Sequence, residues 1–155
     1  MAKIFKNEAE LKKFLEYKCK AAIADAERKV YNAIEKCLVQ YYEQFTPEEY
    51  IRTKKLYHAL VKVRSKDGFA TEIYFDENMM DYQTGLIKIQ STPTTGRMGY
   101  ATWGADEVLD TAMNGSHGGY TEGVAIWEKS HSILGDINKL LVQTLKEQGL
   151  TVVRK

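Results

Sequence analysis

Apolar residues recur at steps of three and four along the first part of the chain: Leu11, Leu15, Cys19, Ile23, Ala26, Val30, Ala33 and Cys37. That period predicts one long amphipathic helix over residues 8–45. Phe14, Ala22, Ile34, Leu38 and Tyr41 widen the stripe, while Lys12, Lys13, Glu16, Lys20, Asp25, Glu27, Lys29 and Glu35 read as its wet face. At a rise of ~1.5 Å per residue such a helix runs about 57 Å, longer than a small domain is wide. It therefore kinks or projects, and a projecting stripe needs cover, because exposed apolar area is costly in water. A partner helix or a second copy of the chain would supply that cover.

Beyond the helix the period changes. Thr46-Pro47-Glu48-Glu49 is a helix-start signal, with Thr46 as cap, Pro47 in the first turn and Glu49 reaching back. Residues 50–59 read as a short helical turn. Residues 60–64 alternate, Lys66-Asp67-Gly68 carries an Asp-Gly turn, and residues 69–75 alternate again with Phe69, Thr71, Ile73 and Phe75 on one face, which predicts a hairpin. Residues 86–89 read as a third strand. Residues 91–104, rich in Thr, Gly and Ser, read as a long loop. A short helix over residues 105–113 closes at Asn114-Gly115. A second loop follows around Ser116-His117-Gly118-Gly119-Tyr120. Helical spacing returns at Val124, Ile126, Trp127, Ile133 and Leu134. A last helix runs from an Asp136 cap to Gly149, and Leu150-Thr151-Val152-Val153 reads as a closing strand. The expectation is an α+β fold over a single domain, residues 1–155, in which a long N-terminal helix and C-terminal helices pack on a small antiparallel sheet of three or four strands.

Composition fits that picture. The chain has 155 residues, 44% hydrophobic and 28% charged, enough for a sizeable core and too apolar for wholesale disorder. No apolar run approaches the ~18–20 residues of a membrane span, and the charged N-terminus lacks the apolar stretch of a secretory signal. Cys19 and Cys37 fall in one predicted helix, about 27 Å apart at ~1.5 Å per residue. A disulfide needs Cα atoms within roughly 7 Å, so an intramolecular bridge is excluded, in keeping with synthesis in a reducing cytoplasm. The net charge of +1 conceals +6 on residues 1–66 and −5 on residues 67–155, a split that suits packing between unlike faces or contact between copies.

Reactive chemistry is sparse. His58, His117 and His131 are the only histidines, and no close pair of metal-ligand type occurs. His117 has the best case for a special role, since its glycine neighbours allow close approach, with Asp106, Asp110 or Glu122 to orient it; the same run also reads as a plain turn. A Gly-x-Ser-x-Gly elbow is missing, and Thr94-Thr95-Gly96-Arg97-Met98-Gly99 lacks the lysine and spacing of a phosphate loop. No cofactor is implied, and the chain is not expected to be an enzyme. The 10 tyrosines are more informative. Tyr41, Tyr42, Tyr50 and Tyr57 crowd one junction, and Tyr100 and Tyr120 lie in or near loops with Trp103. Tyrosine is favoured at interfaces because it buries area and keeps a polar handle. Stacking on nucleic-acid bases is the rival reading, and packing of helix ends on a sheet is the plain one. The candidate interface residues are Tyr41, Tyr42, Tyr50, Arg52, Arg97, Tyr100, Trp103, His117 and Tyr120.

One stretch carries a family resemblance: Tyr41-Tyr42-Glu43-Gln44-Phe45-Thr46-Pro47-Glu48-Glu49-Tyr50-Ile51-Arg52-Thr53-Lys54-Lys55-Leu56. It resembles head–tail joining or tail-completion proteins of tailed phages from Gram-positive hosts, in which a long N-terminal helix meets a Tyr-rich junction before the strands. Tyr50, Arg52, Thr53 and Leu56 match that family's phrase around Pro47. His117-Gly118-Gly119 followed by Trp127, and the closing order of helix, Gly149 and strand, are similar too. Lys54 departs from the pattern, standing where many relatives carry glycine, and residues 77–104 have no counterpart. The resemblance implies a virion subunit made in the host cytoplasm, assembling with itself, in a ring for example, and with other virion proteins at the phage neck or tail, without cofactor, membrane or catalysis. Two other classes compete with it: a phage- or prophage-encoded binding protein that inhibits a host defence protein, and a small enzyme using His117.

Overall fold

The computed structural model describes residues 4–44, 54–80, 82–88, 98–103, 105–115, 122–151 and 153, with residues 82–88, 98–103, 105–108 and 111 described by their backbone alone. Helix α1 spans Glu8–Glu43. No glycine or proline interrupts it, which is why it runs for 36 residues. Its start is built by side chains. Asn7 Oδ1 accepts the Glu10 N–H at 2.9 Å, and the Glu10 carboxylate accepts the Lys6 N–H at 2.9 Å. Phe5 folds back on Phe14 with ring centroids 5.0 Å apart. The Thr46-Pro47-Glu49 signal lies outside the described residues.

The chain divides into two compact units, Met1–Ile34 with Lys62–Ile73 and Trp127–Lys155, and Glu35–Val61 with Tyr74–Ile126. In the first unit Ala22, Ala26, Ala33, Ile34 and Leu140 are buried, with Glu27, Ser130 and Thr144 as buried polar residues. Helix α5 (Ile137–Glu147) is tied to α1 by Lys29 to Glu147 at 3.0 Å and by Gln148, just after its end, to Asp25 at 3.0 Å. Asp136 caps α5 as expected, accepting the Asn138 N–H at 2.7 Å. The hydroxyls of Ser130 and Thr144 donate to carbonyls of their own helices, so neither is an orphan.

The second unit buries Cys37, Leu38, Leu56, Ala59, Leu60, Phe75, Met80, Ala112, Val124 and Ile126. It holds the short helix α2 (Lys55–His58) and the 3₁₀ turn Glu77–Met79. Lys54, before α2, takes the left-handed conformation at φ 55° and ψ 24°, where glycine is unstrained. Helix α3 (Ala105–Asn114) ends at Gly115 with φ 95°, and α4 (Ile126–Leu134) follows. Between them the chain folds back on the end of α3: Val124 N–H bonds to Ala112 O at 2.9 Å and Ala125 N–H to Met113 O at 3.0 Å. Those are carbonyls the helix end leaves unpaired.

Several expectations are corrected. The strands β1 (Leu60–Arg64), β2 (Thr71–Phe75), β3 (Tyr82–Lys88) and β4 (Met98–Trp103) make two two-stranded sheets, β1-β2 and β3-β4, in place of one sheet of three or four. Residues 98–103, read as loop from their Thr and Gly content, pair antiparallel with β3, Tyr82 opposite Trp103 and Lys88 opposite Met98. A register shift between Gln83 and Leu86 sets Thr84 and Gly85 against one residue of β4, a bulge. The hairpin between β1 and β2 uses residues 65–70 instead of a two-residue Asp-Gly turn. Gly68 donates to Ser65 O at 2.9 Å and takes φ 78°. Phe69 therefore precedes β2 and stays exposed, while Thr71, Ile73 and Phe75 share the covered face as expected. Leu150, Thr151 and Val153 lie outside any strand. Cys37 is buried and Cys19 half-buried, and neither forms a disulfide.

Two neighbouring positions should respond in opposite senses. A Cβ on Gly123 would lie 2.3 Å from Met113 O, a backbone atom that cannot swing away. Gly123→Ala is expected to destabilise by about 2 kcal/mol or more in denaturant unfolding. Ala125 sits at φ 46°. Ala125→Gly relieves that strain, and is expected to be neutral or to stabilise by up to about 1 kcal/mol after the added chain entropy.

Candidate interaction surface

The stripe of α1 is covered over only part of its length. Leu11, Leu15, Lys18, Ala22, Ala26, Lys29 and Ala33 lie along one side at helical spacing. From Ala22 onward that side meets its own chain. Before it, none of residues 4–21 is buried. Leu11 is 38% and Leu15 40% exposed, and Ile4 is 88% exposed. The uncovered apolar stripe anticipated from the sequence is thus confined to the first turns of α1.

The strongest electrostatic feature lies on another side of the helix, at Glu27. The sequence pattern put this residue on the wet face, yet it is only 9% exposed. Its Oε2 accepts from Arg64 Nε at 2.9 Å, Arg64 Nη2 at 2.6 Å and Thr71 Oγ1 at 3.0 Å. Lys62 Nζ stands 3.5 Å from Oε1 and 5.0 Å from the centre of the Tyr31 ring. Burial pushes the carboxyl up, but the bonds from Arg64 and Thr71 and the charges of Arg64 and Lys62 outweigh it and hold the group below its ordinary 4.5. Glu27 is therefore a fixed anion that fastens the hairpin to α1. A carboxylate kept ionised by three partners is not poised to exchange protons near neutral pH. Its signal in the sequence lay in Lys62, Arg64 and Thr71, which alternation places near each other in a hairpin.

The candidate interface residues fall into three groups. Tyr41 and Tyr42 are half-buried on α1, their rings edge to face with centroids 5.4 Å apart, and Tyr57 donates its hydroxyl to Glu35. The Tyr-rich junction is here a packed end of α1 within the second unit. Gln44 adds a contact the sequence did not announce: its amide accepts the Glu122 N–H at 2.8 Å and donates to Glu122 O at 3.0 Å. Tyr100 and Trp103 lie on β4, opposite Leu86 and Tyr82. Tyr50, Arg52, Arg97, His117 and Tyr120 lie outside the described residues. His58 packs edge-on against the Tyr57 ring at 5.7 Å, and His131 is exposed. Among the described residues no three or more His, Cys, Asp or Glu gather as metal ligands, and no helix is long and apolar enough to cross a membrane.

These features define an α+β protein whose distinguishing surface is the incompletely covered start of a long helix. The chain belongs to the YomN family, whose model matches residues 7–149. The family name comes from a Bacillus prophage region and points to a phage origin. No curated protein and no solved structure matches the chain.

The Glu27 contacts generate a pH prediction. A carboxyl depressed in the folded state contributes stability at neutral pH, and loses it as pH falls through 4.5 and below. The unfolding free energy is expected to decline over that range, with a shallower decline in Glu27→Gln. Arg64→Met, which strips two bonds from a buried carboxylate, is expected to cost about 1–3 kcal/mol at pH 7. Both are read from denaturant titrations at a series of pH values.

Proposed function

We propose that this chain is a structural subunit of a phage virion, a neck or tail assembly protein that works through contacts with other copies of itself and with other virion proteins. The observation that carries the reading is the start of α1, where Leu11 and Leu15 stay about two-fifths exposed on a stripe whose later turns are buried. An apolar stripe on a capped, rigid helix favours association over solvation. Membership of the YomN family supports the phage setting. The +6 and −5 charge of the two parts of the sequence favours contact between unlike surfaces of neighbouring copies. In this reading the protein is made in the bacterial cytoplasm and ends in the virion. Its contacts need neither cofactor nor catalytic group.

The solution mass, followed by light scattering over a range of protein and salt concentrations, tests it. A discrete oligomer, or a monomer that assembles as concentration rises, is expected, and Leu11→Ser with Leu15→Ser should shift the mass towards monomer. A wild-type chain that stays monomeric throughout would turn the reading towards a binder of a foreign partner.

A further inference from the structure

We infer that residues 8–18 of α1 pair with the same residues of a second copy, antiparallel, with Leu11 of each copy seated on Leu15 of the other. This rests on the self-assembly reading above and names its contact. Leu11 and Leu15 sit one turn apart and are 38% and 40% exposed. Along the same side of the helix, α5 reaches α1 at Asp25 and Lys29, two to four turns further on. The charges choose the occupant and its direction. Glu8 precedes Leu11 by three residues and Lys18 follows Leu15 by three, both on the side of the stripe.

In an antiparallel pair each Glu8 falls in the same layer as the Lys18 of the other copy, so two opposite-charge pairs close the ends of the apolar contact. In a parallel pair Glu8 meets Glu8 and Lys18 meets Lys18, which is repulsive at both ends. Helix dipoles add to the same preference, since antiparallel neighbours set unlike ends side by side. The Lys18 ammonium, 5.7 Å from the centre of the Phe14 ring, already lies back along this side of the helix. The contact is isologous and closes at two copies, so it makes a dimeric building unit; a ring would need a second surface. About three turns per copy is well under a standard interface, and the pairing is therefore concentration-dependent.

Cysteine pairing in the full chain tests the geometry, with Cys19→Ser as background, at concentrations where light scattering shows association. Leu11→Cys and Leu15→Cys are prepared as separate proteins. Mixed and oxidised, they are expected to give a disulfide-linked dimer containing one of each, while neither alone cross-links, because like positions stand too far apart. Cross-linking of each protein with itself would overturn the antiparallel arrangement. Glu8→Lys and Lys18→Glu are each expected to weaken association about tenfold, and the double variant to recover it. Association that persists with neither the mixed cross-link nor the charge rescue sinks this contact and leaves the self-assembly reading standing. A monomer at every concentration removes both.

Discussion

The continuity of α1 is the constraint on which the rest depends. A stretch of 36 residues without glycine or proline forms one uninterrupted helix, and several of the described segments are fastened to it by side-chain contacts. Within the first unit, α5 is tied at Asp25 and Lys29 and the hairpin at Glu27. Within the second, Tyr57 is tied at Glu35, and the segment after α3 at Gln44. Charged and amide side chains fix where each of these segments meets the helix. The apolar contacts supply most of the driving force. The polar ones are few and specific, so they select one arrangement among many of similar burial.

The elements most legible in the sequence were those whose signal is local. The period of α1, the Asp136 cap, Asn114-Gly115 at the end of α3 and the alternation of β1 and β2 each reflect interactions within a few residues, and each appears within a residue or two of its expected place. What was illegible depends on distant partners. Residues 98–103 look like loop until β3 lies beside them, because Gly99 and Ala101 dilute the strand preference of Tyr100, Thr102 and Trp103. Glu27 looks solvated until Arg64 and Thr71 arrive, since a carboxylate on the margin of an apolar stripe is compatible with either environment. The pairing of Gln44 with the backbone of Glu122 leaves no trace in either segment alone. The candidate surface was half legible: the stripe and its need for cover followed from periodicity, but not which turns the chain covers by itself.

The shifted carboxyls described here, Glu27, Asp67 and Glu147, are all lowered by ordinary hydrogen bonds and neighbouring cations, on contacts that fasten helices and turns. The YomN family supports a phage origin, and the partly bare start of α1 is the feature on which the proposed function rests.

The arrangement of donors at Glu27 has a consequence for how the hairpin finds its place. Arg64 ends β1 and Thr71 begins β2, and the Ser65 N–H to Ala70 O bond at 2.9 Å sets them across from each other just inside the turn. Both donate to the same oxygen of Glu27. A hairpin slipped by one residue would present one donor and turn the other away, because successive side chains point to opposite faces. A single atom on the helix thus checks strand pairing and docking in one event, and a misregistered hairpin would leave a buried anion short of partners. The carboxylate acts as a proofreader of alignment, rejecting the wrong pairing on the surface where the right one is assembled.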